Sequence, residues 1–270
     1  LAQQIVRRSA LWPKILALKL PEQQLALLYE ALERLSDVVC DCAQVLEIHL
    51  DPLWLTADAL ISETLNIRVG APEFEAAAAG SRYRHLTIHP YPRHWVHVNS
   101  FADGQEWIMR PIRPEDAQAL QAFIRNLSPE SRYMRFVSML SELSPQMLAR
   151  FTSIDYDREL ALVATVAASG NEAGEKIIGF CHYLRHEDGQ GAEYALAVAD
   201  AWQRRGLGRC LLQQLIAAAK TQRLRYIDGY ILRHNYAMLT LMRRLGFQND
   251  PDPDDPGNRR VWRVLDDARE

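Results

Sequence analysis

Apolar residues recur at helical spacing in two stretches of the chain and alternate with polar ones in several shorter runs. Leu25, Leu28, Leu32 and Leu35 line one face of an amphipathic helix from Glu22 to Leu35, with Pro21 at its start. Val45 to Leu53 alternates like a half-buried strand that Pro52 interrupts, and Ala59 to Val69 reads as a second strand. From Gly70 to about Gly104 the pattern degrades into an alanine run, Pro72, Pro90, Pro92 and four histidines, which reads as a linker. A second unit then begins. Glu106 to Arg113 is expected as an edge strand because of Pro111, followed by a helix from Glu115 to Arg125. Ser128 and Pro129 supply an N-cap and a first-turn proline for a helix from Glu130 to Val137. Strands are expected at Glu159 to Ala168, Lys176 to Arg185 and Ala192 to Ala199, the first two joined by a turn at Gly170 to Gly174. Gly206 to Lys220 is the strongest helix, with Leu207, Leu211, Leu215 and Ala219 four apart. A strand (Arg225 to Leu232), a helix (Tyr236 to Leu245) and a strand (Arg259 to Leu265) complete the pattern. The fold class is α/β (α+β), a mixed central sheet flanked by helices behind a small N-terminal α/β unit.

Composition narrows the function. With 270 residues, 48% hydrophobic and 24% charged, the chain is an ordinary globular protein of more than one unit. A net charge of −3 gives no general field for nucleic acid, and no apolar run approaches a bilayer span, so a cytoplasmic protein without nucleic-acid or membrane partners is expected. Cys40, Cys42, Cys181 and Cys210 form no C-x-x-C pair and read as reduced thiols. The chain opens on Leu1 in polar helical sequence without a capping signal, as a piece of a longer polypeptide would.

One junction carries chemistry. Val198 ends a strand, and Gln203-Arg204-Arg205-Gly206-Leu207-Gly208-Arg209 leads into the strongest helix. Such a junction aims several unpaired N–H groups and the positive helix end at one point, where glycine lets a phosphate approach the main chain. Seven Lys and Arg residues against one acid between positions 201 and 235 agree with an anion site. A glycine-started helix beneath solvated arginines is the plainer alternative. A dinucleotide fingerprint and a P-loop both fit worse, because Gly208 is followed by Arg209 and Cys210.

The junction resembles the Q/R-x-x-G-x-G/A motif of the Gcn5-related N-acetyltransferases, and Arg233 to Leu239 with Leu245-Gly246-Phe247 resembles that family's second motif. The resemblance implies acetyl-CoA as co-substrate and no metal. Its pyrophosphate would lie on Gln203, Arg204, Arg205, Gly206, Leu207, Gly208 and Arg209, with Asn235 as a further contact. Its pantetheine would bond the main chain of Leu196 and Val198 between splayed strands. Met242 aligns with the tyrosine that usually protonates the departing thiolate, so water, another hydroxyl such as Tyr236, or unassisted departure of the thiolate must serve. An acceptor lysine with a pKa near 10.4 is neutral in only about one molecule in 2,500 at pH 7, a cost of roughly 4.6 kcal/mol. Glu193, opening its strand where related enzymes carry a glutamate, is the candidate general base; a solvated strand-end acid is the alternative.

Met109 to Asp116 and Leu127 to Phe136 look like the bacterial protein lysine acetyltransferases of the Pat type, which couple such a domain to one similar to ADP-forming acyl-CoA synthetases. Glu47 to Leu53 and Thr64 to Val69 resemble the metal-binding E-L-D-I-N-P-L and the A-L-D-A-R-I at the end of an ATP-grasp domain. His49, Asp51 and Asn66 replace its magnesium ligands, so that unit is expected to be structural. The resemblance thus implies an ATP-grasp-like remnant at 1–70, a linker at 71–104 and an acetyltransferase domain at 105–270. It implies a protein substrate such as AMP-forming acetyl-CoA synthetase, with Arg132, Tyr133 and Arg135 either recognising that partner or packing their own helix. A small-molecule amine acetyltransferase and a non-catalytic acetyl-CoA sensor are the rival functions, and an oligomer is compatible with the sequence. His85, His89, His94 and His97 lack carboxylate or cysteine support for a metal, and the Asp and Pro run from Asp250 to Gly257 reads as a solvated turn.

Overall fold

A computed structural model describes residues 2–70, 83, 86, 89–136, 141–168 and 174–265. The chain divides into two compact units, 1–90 and 91–270. In the first, α1 (Ala2–Arg8), α2 (Trp12–Ala17) and α3 (Glu22–Asp41) precede four short strands, β1 (Val45–Leu50), β2 (Leu53–Leu55), β3 (Leu60–Ser62) and β4 (Leu65–Val69). β1 pairs antiparallel with β4, and β2 with β3. The stretch expected as one strand from Ala59 to Val69 is therefore two. The Thr64 carbonyl accepts the Asp51 N–H at 3.2 Å and the Ser62 hydroxyl at 2.7 Å, and this breaks the ladder between them. His49 lies opposite Asn66 and Glu47 opposite Arg68. The Glu47 carboxylate accepts from Arg68 Nε and meets His49 Nε2, each at 2.7 Å, and these two partners, Arg68 foremost, hold its carboxyl below the usual range.

The second unit is built on one sheet. Its elements are β5 (His97–Ser100), β6 (Glu106–Pro111), α4 (Ala117–Arg125), α5 (Pro129–Phe136), α6 (Pro145–Thr152), β7 (Glu159–Ala167), β8 (Glu175–Arg185), β9 (Gly191–Val198), α7 (Leu207–Thr221), β10 (Tyr226–Leu232), α8 (Tyr236–Arg244), β11 (Gln248–Pro251) and β12 (Asn258–Val264). The strand order is β11-β12-β10-β9-β8-β7-β6-β5. Neighbours run antiparallel except β9 and β10, which α7 joins as a crossover. β7 is buried on both faces. Leu160, Leu162 and Ala164 join the core that contains Leu207, Leu211 and Leu215 of α7, while Ala161 and Val163 join the core that contains Leu120, Phe123 and Ile124 of α4.

Three expectations change here. β6 is not an edge strand: β5 pairs along its Glu106 to Met109, and Pro111 is tolerated because β5 ends before reaching it. That edge strand, β5, comes from the segment expected as linker. α6 was not anticipated, although Ser144 caps it by accepting the Met147 N–H at 3.2 Å and Pro145 opens it. The Gln248 to Pro251 stretch pairs with β12, so the Asp and Pro run turns between β11 and β12. Val137 and most of the Gly170 to Gly174 turn lie outside the described residues.

A buried ion pair ties β6 to the start of α4. Arg110 donates to both oxygens of Asp116 at 2.7 Å and to Glu175 Oε2 at 2.8 and 3.0 Å, while Asp116 also accepts the Arg113 N–H at 2.7 Å. Arg110 and Asp116 are 5% and 8% exposed, so losing Asp116 leaves a buried guanidinium with Glu175 as its remaining counter-charge. Asp116→Ala is expected to lower stability by about 3 kcal/mol, and an Arg110→Met, Asp116→Leu double variant by less; urea denaturation compares them.

Candidate active site

The β9–β10 ladder is short. It pairs Gly191 with Tyr226, Ala192 with Ile227 and Glu193 with Asp228, and then the strands part. β9 continues to Val198 with β8 as its neighbour, Val198 standing opposite Gly179. The Ala199 N–H donates to Ile178 O on the β8 side at 2.9 Å, so the two-residue alternation turns the main chain of Val198, and of Leu196 before it, toward the opening. At the vertex the Tyr194 ring lies over Gly229, where a Cβ would come within 3.0 Å of Tyr194 Cε1. A side chain there would press on the ring and on the Tyr194 carbonyl, 3.1 Å away.

The mouth of this opening is the start of α7. Gly206 caps the helix with φ +86°, a left-handed conformation that a side chain would strain, and the space around its missing Cβ is open. The first helical bond runs from Cys210 N–H to Gly206 O, so the N–H groups of Leu207, Gly208 and Arg209 precede it. Gly208 rests against the opening's walls, its Cβ position lying 3.2 Å from Leu196 Cδ2 and 3.6 Å from both Leu241 and Val198. Leu196, Val198 and Gly206 to Arg209 therefore converge on one slot.

Several of the other expected contacts hold partners within the protein. The Gln203 amide donates to Val198 O at 3.1 Å and Ser131 Oγ at 3.2 Å, bridging the turn to α5. The Arg205 guanidinium is paired with Asp103 and stacked over Phe101 at 4.1 Å and Trp202 at 4.9 Å. Arg204 and Arg209 are exposed. Asn235 Oδ1 caps α8 by accepting the Met238 N–H at 3.1 Å, and Met242 is buried at 1% exposure. Asp200 accepts from Ser128 and Ser131, which fastens α5 to the same turn and holds its carboxyl below the usual range against the opposing effect of burial.

Glu193 is exposed at the vertex, on the sheet face opposite Tyr194. Register partners share a face, so His182 (opposite Ala195) and Asp228 lie on the Glu193 side. Asp228 is buried and held by His186 Nε2 at 2.8 Å and Arg260 at 2.7 Å. Arg135 of α5 turns inward, as in the packing alternative, and donates to His182 Nε2 at 2.9 Å. Its Nε is buried without a hydrogen-bond partner among the described residues. Burial pulls the Arg135 pKa down to about 10, opposed by the charge of Glu193. Burial first, and then the cations Arg135 and Arg150, push the His182 pKa down to about 3, so its ring is neutral at pH 7 and accepts.

That depression has a sign. Between about pH 6.5 and the folded value of about 3, the unfolded chain binds a proton at residue 182 that the native state does not. This contribution lowers stability as pH falls through that window, by at most about 1.4 kcal/mol per pH unit. His182→Gln is expected to flatten the fall, and urea midpoints at pH 7 and pH 5 measure it.

The sequence pointed to Glu193 and the glycine junction but missed His182, Asp228 and Tyr194. His182 sits in a strand that reads as buried, and only the fold reveals its neighbours. Among the described residues, no group of three or more His, Cys, Asp or Glu side chains is placed to hold a metal, and no helix is long and apolar enough to cross a membrane.

Residues 107–248, over half of the chain, match the model of the acetyltransferase (GNAT) domain. The chain belongs to the GNAT acetyltransferase family. Its members use acetyl-CoA, and as a GNAT N-acetyltransferase the protein is an enzyme. It is 37% identical to acetyltransferase PA5475 of Pseudomonas aeruginosa over 164 residues, 60% of this chain and 84% of that one. It is 28% identical to acetyltransferase Pat of Mycolicibacterium smegmatis over 144 residues, 53% of this chain and 41% of Pat, so it spans well under half of that relative. Among solved structures, the GNAT domain of Streptomyces lividans PAT superposes with a TM-score of 0.59 at 29% identity, covering 65% of this chain and 99% of that domain.

Proposed function

We propose that this GNAT enzyme transfers acetyl groups from acetyl-CoA to lysine side chains of a protein substrate, with Glu193 as general base. The observation that carries the reading is the parting of β9 from β10 directly beyond Glu193, with the amides that precede the first helical bond of α7 at the other end of the same slot. The residues present fit the coenzyme. The pyrophosphate would meet the N–H groups of Leu207, Gly208 and Arg209 and the positive end of α7. The amides of the pantetheine arm would continue the β9 ladder along Leu196 and Val198, and one main-chain N–H there would polarise the thioester carbonyl. Gln203, Arg205 and Asn235 shape the turn and the start of α8 rather than reaching the coenzyme with their side chains, while Arg204 and Arg209 add positive charge at the mouth.

The amine attacks from the face that carries Glu193, whose carboxylate removes its proton directly or through one water. Similarity to Pat and to the PAT domain supports a protein acceptor, and the AMP-forming acetyl-CoA synthetases are the class to test, in the cytoplasm where acetyl-CoA and metabolic enzymes meet. The first unit is read as a remnant of a synthetase-type ATP-grasp domain, in which Arg68 and His49 occupy the Glu47 carboxylate.

The test incubates the full chain with labelled acetyl-CoA and either purified AMP-forming acetyl-CoA synthetase or a panel of small amines such as spermidine and free amino acids. Label on a synthetase lysine supports the proposal. Label on small amines alone shows a small-molecule enzyme, and coenzyme binding without any transfer shows a sensor.

A further inference from the structure

Glu193 and Tyr194 are consecutive residues at the vertex of the slot, so strand alternation sends the carboxylate to one face and the phenol to the other. The Tyr194 side chain is 4% exposed. Its ring crosses from β9 onto β10 at Gly229 and meets Phe247 edge-on at 5.5 Å. Its hydroxyl comes to rest on α8 against the Met242 sulfur. A thioether is a weak acceptor, and a buried hydroxyl whose partner among the described residues is a thioether keeps most of its capacity to donate. The slot leads from the α7 amides past Gly208, Leu196 and Leu241. Met242 follows Leu241 in α8, so the hydroxyl rests on the helix whose Leu241 faces Gly208.

We propose that Tyr194 is a catalytic residue whose hydroxyl exchanges the Met242 sulfur for the coenzyme's sulfur and donates a hydrogen bond to the departing thiolate. This rests on the coenzyme site described under the proposed function. The amine nitrogen bonds to the acetyl carbon, the C–S bond breaks, and its electron pair stays on sulfur. The amine proton leaves through Glu193, and no proton need move to the sulfur. Relative acidities decide that last point: a thiol titrates near 8.5 and an ordinary tyrosine near 10, and burial raises Tyr194 further. Transfer from the phenol would be uphill, whereas an O–H donor to an anionic acceptor is a strong hydrogen bond. The hydrogen-bond donor to sulfur and the base are thus supplied by neighbouring residues on opposite faces of one strand.

The test compares the full-length protein with Tyr194→Phe, which keeps the buried ring, by calorimetric titration with CoA and with desulfo-CoA from pH 6.5 to 9.5. In the wild type, CoA affinity relative to desulfo-CoA is expected to rise with pH as the bound thiol ionises. In the variant this preference is expected to fall by about ten- to a hundredfold at the upper end, as for loss of a hydrogen bond to a charged group, while desulfo-CoA affinity and the melting temperature hold. Equal pH-dependent preference in both proteins overturns the role of Tyr194 and leaves the coenzyme site standing. Failure of the wild type to bind either compound overturns the site itself.

Discussion

Replacing Glu193 by glutamine is expected to lower kcat/KM for lysine acetylation by about a hundred- to a thousandfold at pH 7, within the range of a lost general base. The size follows from the acceptor. A lysine that is neutral in about one molecule in 2,500 at pH 7 needs a base at the moment of attack. The gap between wild type and variant should close as pH approaches 10, where the amine deprotonates in solution. KM for acetyl-CoA should stay near its wild-type value, because Glu193 lies on the sheet face opposite Tyr194, away from α7. A pH profile of initial rates from 7 to 10 checks both parts. Equal rates at pH 7 would remove Glu193 from the chemistry.

Replacing Gly206 by valine is expected to act more on coenzyme binding than on stability. The residue sits at φ +86°, where a β-branched side chain is strained, and the turn that relieves this strain moves the amides of Leu207 to Arg209. Its surroundings are open, so the side chain meets nothing in the core but stands at the mouth of the slot. Acetyl-CoA affinity is expected to weaken about a hundredfold, from a displaced set of donors and roughly 1–3 kcal/mol of backbone strain. The melting temperature should fall only slightly. Titration with CoA, beside a thermal melt, separates a lost cradle from a lost fold.

Much of this architecture was legible from pattern and punctuation. α7 announced itself through leucines four apart behind a glycine, and α5 through Ser128 and Pro129, whose cap is realised as the Ser131 N–H bond to Ser128 Oγ at 3.1 Å. What escaped depended on pairing rather than on local signal. β5 is four residues from a proline-broken stretch, and only its partner β6 makes it a strand. Pro111 suggested an edge, yet it stands just past the end of that partner, so the proline rule held for the residue and failed for the strand. In the site, Glu193 and the α7 junction carried motifs, whereas Arg135 and His182 lie 47 residues apart and meet only through the packing of α5 on the sheet. Gln203, Arg205 and Asn235 were expected at the coenzyme because they match the family's motifs. Their side chains instead hold the turn, the aromatic pair Phe101 and Trp202, and the cap of α8.

Hydrogen–deuterium exchange with and without acetyl-CoA tests most directly whether the parted strands are the coenzyme site. Binding is expected to protect peptides spanning Leu196 to Val198 and Gly206 to Arg209, where main-chain groups face the slot, and to leave the Arg110–Asp116 region unchanged. Tight acetyl-CoA binding with no protection in either segment would contradict the account.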